Sequence, residues 1–376
     1  SFNITATVRD SGSPELTDVV SISITVTALS VGLMEVDFTN NHEIMQDPKE
    51  GFFGSLYVTP YSSIEWSREP NNGPATDGDQ IIRTPVAYSS GLASSQNRLV
   101  ASATFDVTNN WNITTLVRAN GPNGYDIPAT IATLDAGGAD SDTLSISNVP
   151  AVREFEIGAD YFESFELAWE MSIDGGVTWF SAGSSTNQLY VTWKSPLAPL
   201  IHTILHVGTN GAMDMLTEPQ VINGIWGDFS DLAVSRYDGS GPLLYQHDIV
   251  SQTSKSLIFH GKGNCDAWAY FFQDVLRGQG VESGEVDFIY AVAAEGFLVE
   301  KAWQWEAPIS APPSLPGYTY HYGENLYSGF GNTVPGQGNG TPSATFNYHA
   351  VFRLNGKIYD PSYGVIWVQR QIKCAG

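Results

Sequence analysis

Cysteine and positive charge are what this chain of 376 residues has least of. Two cysteines, Cys265 and Cys374, are too few for a disulfide scaffold, so the chain must be held together by buried cores. Spacing alone does not decide whether they pair with each other. Seventeen Lys and Arg stand against 40 Asp and Glu, a formal charge of -23. That charge repels phosphate backbones and anionic lipid, which excludes nucleic acid as a partner and gives no reason to infer a membrane. No apolar run of about 18 residues is present, and no signal peptide opens the chain. Ser1 to Val8 is already strand-like, so a segment of a longer polypeptide is expected. Charged residues of any kind make up only 15% against 42% hydrophobic, which leaves a surface of Ser, Thr, Asn, Gly and Tyr. That composition is not a disordered one, and its low lysine and strong acidity fit an extracellular or cell-surface protein.

What is there begins with alternation. Ile4, Ala6 and Val8, then Val19 to Thr27, read as two strands, with turn chemistry from Arg9 to Leu16 between them. The segment "TATVRDSGSPEL" resembles the closing part of a cadherin repeat, which puts a C-terminal part of a cadherin-like β domain at residues 1–30. The resemblance implies Asp10 as a ligand of an inter-repeat calcium ion, and with it calcium in the β domains. The linker Ala28 to Gly32 lacks the Asp/Asn-rich run that completes such a site.

Residues 31–195 carry short β-rich runs between Gly, Pro, Asn and Asp, among them Arg98 to Phe105, Asn112 to Ala119, Phe165 to Trp169 and Leu189 to Trp193. Strands at this spacing without helical period predict an all-β sandwich domain. Within it, Ser172-Ile173-Asp174-Gly175-Gly176-Val177-Thr178-Trp179 resembles the Asp-box turn of sialidases and other propellers. One copy gives no propeller, so it reads as a hairpin turn, with Gly175 and Gly176 taking positive φ and Asp174 capping the loop. A sugar site at its tryptophans and Tyr190 is the alternative.

The Pro196 to Pro199 stretch predicts a boundary, with a third domain over residues 196–376. His202 and His206 sit in β-like sequence with no partner set for a metal. From Trp268 the apolar residues Trp268, Phe271, Phe272, Val275 and Leu276 form the stripe of an amphipathic helix. Its start places Cys265 where unpaired N–H groups and the helix dipole favour an anion such as a thiolate. Glu306 to Thr345 is a long Pro- and Gly-rich loop, of the kind that shapes a substrate groove.

Asn355-Gly356 between two apolar-alternating runs is the signal of a type I′ hairpin. It predicts the pairs Leu354 with Lys357, Arg353 with Ile358 and Phe352 with Tyr359, then Val351 with Asp360 and His349 with Ser362. His349 and Asp360 then share a face as diagonal neighbours, within side-chain reach. A thiol at a helix start, an imidazole and a carboxylate to orient it make a set for acyl transfer.

Gly263-Asn264-Cys265 opening "CDAWAYFFQDVLRGQGV", then "YHAVF" and "IYDPSYG", resembles the transglutaminase-like superfamily over about residues 200–376. The resemblance implies an α+β papain/transglutaminase-like domain, with an antiparallel sheet packed on the cysteine helix and Cys265, His349 and Asp360 as its triad. It also points to Trp226, 39 residues before Cys265, as an oxyanion donor through its indole N–H. Asp266 beside the thiol departs from the pattern of the animal cross-linking enzymes. The expectation is therefore an extracellular thiol enzyme, peptidase or protein cross-linker, acting on a protein or peptide substrate and requiring no cofactor. An adhesion or surface-assembly protein that uses the same fold as a scaffold, or for one covalent linkage, is the alternative.

Overall fold

The computed structural model of the chain describes residues 2–9, 17–24, 30–69, 80–91, 96–108, 114–135, 142–246, 251–290, 319–320, 335–340 and 348–368. Strands β1 (Phe2–Arg9) and β2 (Thr17–Ile24) form an antiparallel hairpin, pairing Phe2 with Ile24 through Arg9 with Thr17. The turn between them, with Asp10, lies outside the described residues, as does the calcium expectation that rests on it. The predicted linker needs correcting, because strand β3 (Ser30–Phe38) already begins inside it. Val31 and Leu33 alternate with Gly32 and turn into the core, so the apolar period outweighs the loop-like Ser and Gly.

Eight further strands of this region are β4 (Trp66–Glu69), β5 (Gln80–Arg83), β6 (Val86–Ser89), β7 (Arg98–Thr108), β8 (Thr115–Asn120), β9 (Ile127–Asp135), β10 (Asp142–Glu154) and β11 (Asp160–Ser172), and β12 (Phe180–Thr192) completes the set. They join β3 in one hydrogen-bonded sheet of ten, ordered β5-β4-β3-β7-β10-β9-β8-β11-β12-β6. All pairs but the parallel β12-β6 edge are antiparallel. The sheet curls until distant strands face each other: Phe105 of β7 meets Trp169 of β11 edge-on at 5.7 Å. A Cβ on Gly183 of β12 would stand 3.1 Å from Leu33 of β3, so the backbones close the curl tightly there. The expected sandwich is thus one continuous curled sheet, with no α-helix among its described residues. Bulges in β7, β8 and β11 supply the bend.

After Thr192 the chain leaves the sheet and turns helical, in α1 (His202–Gly211), α2 (Glu218–Ser230), α3 (Ser254–His260) and α4 (Cys265–Gly278). The β-like reading of His202 to His206 is overturned by α1, which buries Ile204, Leu205, Val207 and Gly208. Tertiary packing overrides the strand preference of its Thr, Ile and Val. Gly211 and Gly224 allow α1 and α2 to cross closely, since a Cβ on Gly224 would fall 2.2 Å from the Gly211 carbonyl oxygen.

Helix α4 carries the predicted stripe, and Trp268, Phe271, Phe272, Val275 and Leu276 are all fully buried. It packs on a five-stranded sheet in which the short strand Thr319–Tyr320 runs parallel to β13 (Glu285–Tyr290). β14 (Tyr348–Leu354), β15 (Lys357–Asp360) and β16 (Val365–Val368) follow in antiparallel order. Phe272 meets Phe352 and Tyr359 across this contact, with ring centroids 5.3 and 5.5 Å away. Among the described residues no helix is long and apolar enough to cross a membrane.

Candidate active site

The site begins with the start of α4. Asn264 caps the helix, its side-chain oxygen accepting the Ala267 N–H at 3.2 Å, and Cys265 follows as the first helical residue. Cys265 carries a free thiol and is 2% exposed. Its Sγ donates to Asp266 Oδ1 at 3.6 Å. Asp266, itself buried in the first turn, thus lies where the helix dipole favours a carboxylate, and it holds the thiol from the side. Cys374 lies outside the described residues.

The second part is the β14-β15 hairpin. Asn355 and Gly356 both take positive φ, 52° and 72°, the type I′ geometry that keeps the strands in register. Leu354 pairs with Lys357, Arg353 with Ile358 and Phe352 with Tyr359. Beyond the last pair, three residues on for His349 and one for Asp360, His349 Nε2 and Asp360 Oδ2 stand 2.7 Å apart, both side chains fully buried. Asp360 is fixed in turn, its Oδ1 accepting the Ser362 N–H at 3.1 Å and the Tyr363 N–H at 3.4 Å. With Nε2 on the carboxylate, Nδ1 is the other ring nitrogen, and Cys265 is near enough to act on this imidazole electrostatically.

The electrostatics follow from these neighbours. Burial works to lower the His349 pKa, but the Asp360 charge and hydrogen bond, together with Cys265, outweigh it and push the value up to about 10. An imidazolium at neutral pH is thereby stabilised beside the sulfur. Tyr245, also fully buried, is driven well above the ordinary phenol range by burial and by the charges of Tyr363, Cys265 and Asp360.

Of the residues expected from sequence, the structure brings Cys265, His349 and Asp360 together. Trp226 packs on Phe229, Phe272 and Tyr359 at centroid distances of 6.1, 5.3 and 5.0 Å. Phe272 lies seven residues beyond Cys265, about 10 Å down the helix axis, and Tyr359 alternates with Asp360 to the opposite face of the strand. These contacts are those of a core aromatic, and they leave the indole N–H unassigned.

His202 and His206 serve another seam. Tyr61 Oη lies 2.8 Å from His202 Nδ1, while Tyr190 Oη lies 3.0 Å from His202 Nε2 and 3.2 Å from His206 Nδ1. Tyr237 stacks on the His202 ring at 3.6 Å. Burial lowers both histidines, His202 to about 3. Among the described residues no group of three or more His, Cys, Asp or Glu could hold a metal ion. The Asp174 turn is a hairpin between β11 and β12, its Oδ1 accepting the Val177 and Thr178 N–H groups at 3.0 and 2.9 Å.

Sequence reasoning missed three residues around the hairpin. Gln337, at the end of the long Pro/Gly-rich loop, is fully buried and donates to the Phe229 and Pro361 carbonyls at 2.6 and 2.9 Å. Its own carbonyl accepts the Tyr245 N–H at 2.7 Å, and its N–H donates to Ser362 at 2.9 Å. Tyr363 stands with its ring 5.7 Å from that of His349 and 5.0 Å from that of Tyr245. Only Tyr363 carried a signal, as part of "DPSYG". Most of the loop from Glu306 to Thr345 lies outside the described residues.

No protein-family model matches the chain, and no curated protein is significantly similar to it.

Proposed function

We propose that the protein is a thiol enzyme that transfers or hydrolyses acyl groups at peptide or amide carbonyls, with a transglutaminase-like or papain-like arrangement of helix and sheet. The observation that carries this reading is the buried His349–Asp360 pair, 2.7 Å apart, with Cys265 at the start of α4 near enough to act on the imidazole. The Cys265 thiolate attacks the carbonyl carbon. His349, held by Asp360, returns a proton to the departing amine, then draws one from the incoming water or amine as the thioester is resolved. Backbone N–H groups of the first turn of α4 face the developing oxyanion. The acidic, lysine-poor composition supports an extracellular or cell-surface setting, and the substrate is a protein or peptide.

Alkylation by iodoacetamide tests the reading. Wild-type Cys265 should label at least about tenfold faster than Cys265 in His349→Ala, and equal rates would sink the claim of an activated thiol. One observation favours a second reading, a surface-assembly protein that uses the thiol once or not at all: Cys265, His349 and Asp360 are all buried. Turnover of a glutamine peptide with a primary amine, run beside a general protease substrate, separates the two.

A further inference from the structure

Two neighbours of opposite charge act on the Cys265 sulfur. His349, kept as an imidazolium by Asp360, favours a thiolate. Asp266 opposes it: the thiol donates to Asp266 Oδ1 at 3.6 Å, and the two residues are only 2% and 7% exposed. A hydrogen bond donated by S–H exists only while the sulfur keeps its proton, so it stabilises the neutral thiol, and the carboxylate repels the thiolate. Burial of both groups leaves little water to screen that repulsion. Asp266 is also fixed in place, in the first turn of a helix that Asn264 caps and whose dipole favours a carboxylate there.

The other ionisable groups around the sulfur do not cancel this effect. Asp360 is taken up by His349 and by the Ser362 and Tyr363 N–H groups. Tyr245, on the strand paired with Gly263, stays a neutral phenol, and the Tyr363 ring lies 5.7 Å from that of His349. Lys262, just before the helix, and Lys255 and His260 on α3 are exposed. On β13, Glu285 and Asp287 pair with Arg353. Helices α1 and α2 meet α4 beyond its first turn through apolar contacts, Ile204 near Gly278 and Phe229 on Phe272.

We infer that Asp266 restrains the nucleophile: its carboxylate accepts the Cys265 S–H and holds the resting site as the neutral thiol, so the thiolate forms at a higher pH than His349 alone would set. Asp266 is thus a positioning residue, and calling Cys265 a nucleophile rests on the acyl-transfer reading above. Alkylating agents and oxidants consume a thiolate, not a thiol, so the restraint both protects the sulfur and slows its reaction.

The test follows iodoacetamide labelling of the intact chain against pH, read on the Cys265 peptide by mass spectrometry so that Cys374 does not count. The thiolate electron pair forms the S–C bond and iodide leaves, so the rate tracks the thiolate fraction. Asp266→Asn keeps the shape and removes the charge. It should lower the midpoint of the profile by about one pH unit, the lower end of the range for a charge this close. Below both midpoints labelling should rise about threefold, since about tenfold more thiolate is offset by its weaker nucleophilicity. Asp266→Glu, which restores the charge, should return the midpoint toward that of the wild type. A merely structural role would change the melting temperature and leave the midpoint where it was, and an unmoved or raised midpoint in Asp266→Asn would overturn the assignment. A second measurement needs no change at Asp266: in Cys374→Ser, an S–H Raman band should persist at neutral pH and fade only through the labelling midpoint. Its absence at neutral pH would also overturn the restraint. Labelling that depends on His349 with a midpoint indifferent to Asp266 would leave the thiol-enzyme reading standing without the restraint. A midpoint set by Asp266 in a protein whose labelling ignores His349 would support the restraint and sink that reading.

Discussion

Two buried histidines, His202 at the seam between the curled sheet and α1 and His349 in the hairpin, show how little burial alone decides. His202 is 2% exposed and His349 0%. Burial lowers the pKa of each, yet His202 falls to about 3 and His349 rises to about 10. The difference is in the partners. His202 is surrounded by the phenols of Tyr61, Tyr190 and Tyr237, which satisfy a neutral ring and offer no charge. His349 has a carboxylate at 2.7 Å and a thiol beyond it. A buried imidazole becomes an acid-base group only where a paired anion compensates for lost water.

The largest test of that contrast is Asp360→Asn, which keeps the shape but removes the charge. Acylation of Cys265 should fall by about 10⁴-fold, the scale expected when an orienting carboxylate is neutralised. His349 should also titrate several pH units lower by NMR, toward the behaviour of His202. A change of less than threefold in the rate would mean that Asp360 is structural.

The next test uses opposite pH slopes. Because its folded pKa lies above the unfolded 6.5, His349 contributes stability that is complete below pH 6.5 and is lost as pH rises toward 10. The depressed pKa of His202 does the reverse, contributing above pH 6.5 and losing that contribution as pH falls toward 3. Denaturant midpoints should therefore drop on the acid side of pH 6.5, by on the order of 1 kcal/mol per pH unit from His202. His202→Gln should flatten that limb while leaving the alkaline one. An acid limb as steep in the variant would show that other groups drive it.

The smallest effect belongs to Trp226→Phe. Trimming the indole from its cluster with Phe229, Phe272 and Tyr359 should cost about 1–2 kcal/mol in urea unfolding, and the ratio of acylation to alkylation at Cys265 should not move. A selective loss of acylation would place the Trp226 indole N–H in the site.

Much of this region was legible because its signals are local. The Asn355-Gly356 turn sets register by backbone conformation alone, so His349 and Asp360 follow from counting, and the stripe from Trp268 to Leu276 follows from a single period. The continuity of the ten-stranded sheet was not legible, because Phe105 meeting Trp169 depends on strands 64 residues apart curling onto one another. Nor was α1, whose Thr203, Ile204 and Val207 favour strands until α2 and α4 supply a surface for helical packing.

By itself the sequence determined which groups are available to the site, where the helix begins and which hairpin face carries the imidazole and carboxylate, since these depend on periods and turns of a few residues. Only the tertiary structure decided that Cys265 is near enough to act on His349, and that the pKa of His349 is raised where that of His202 is lowered. Both outcomes depend on which side chains from distant segments share a volume without water, and no local pattern encodes that.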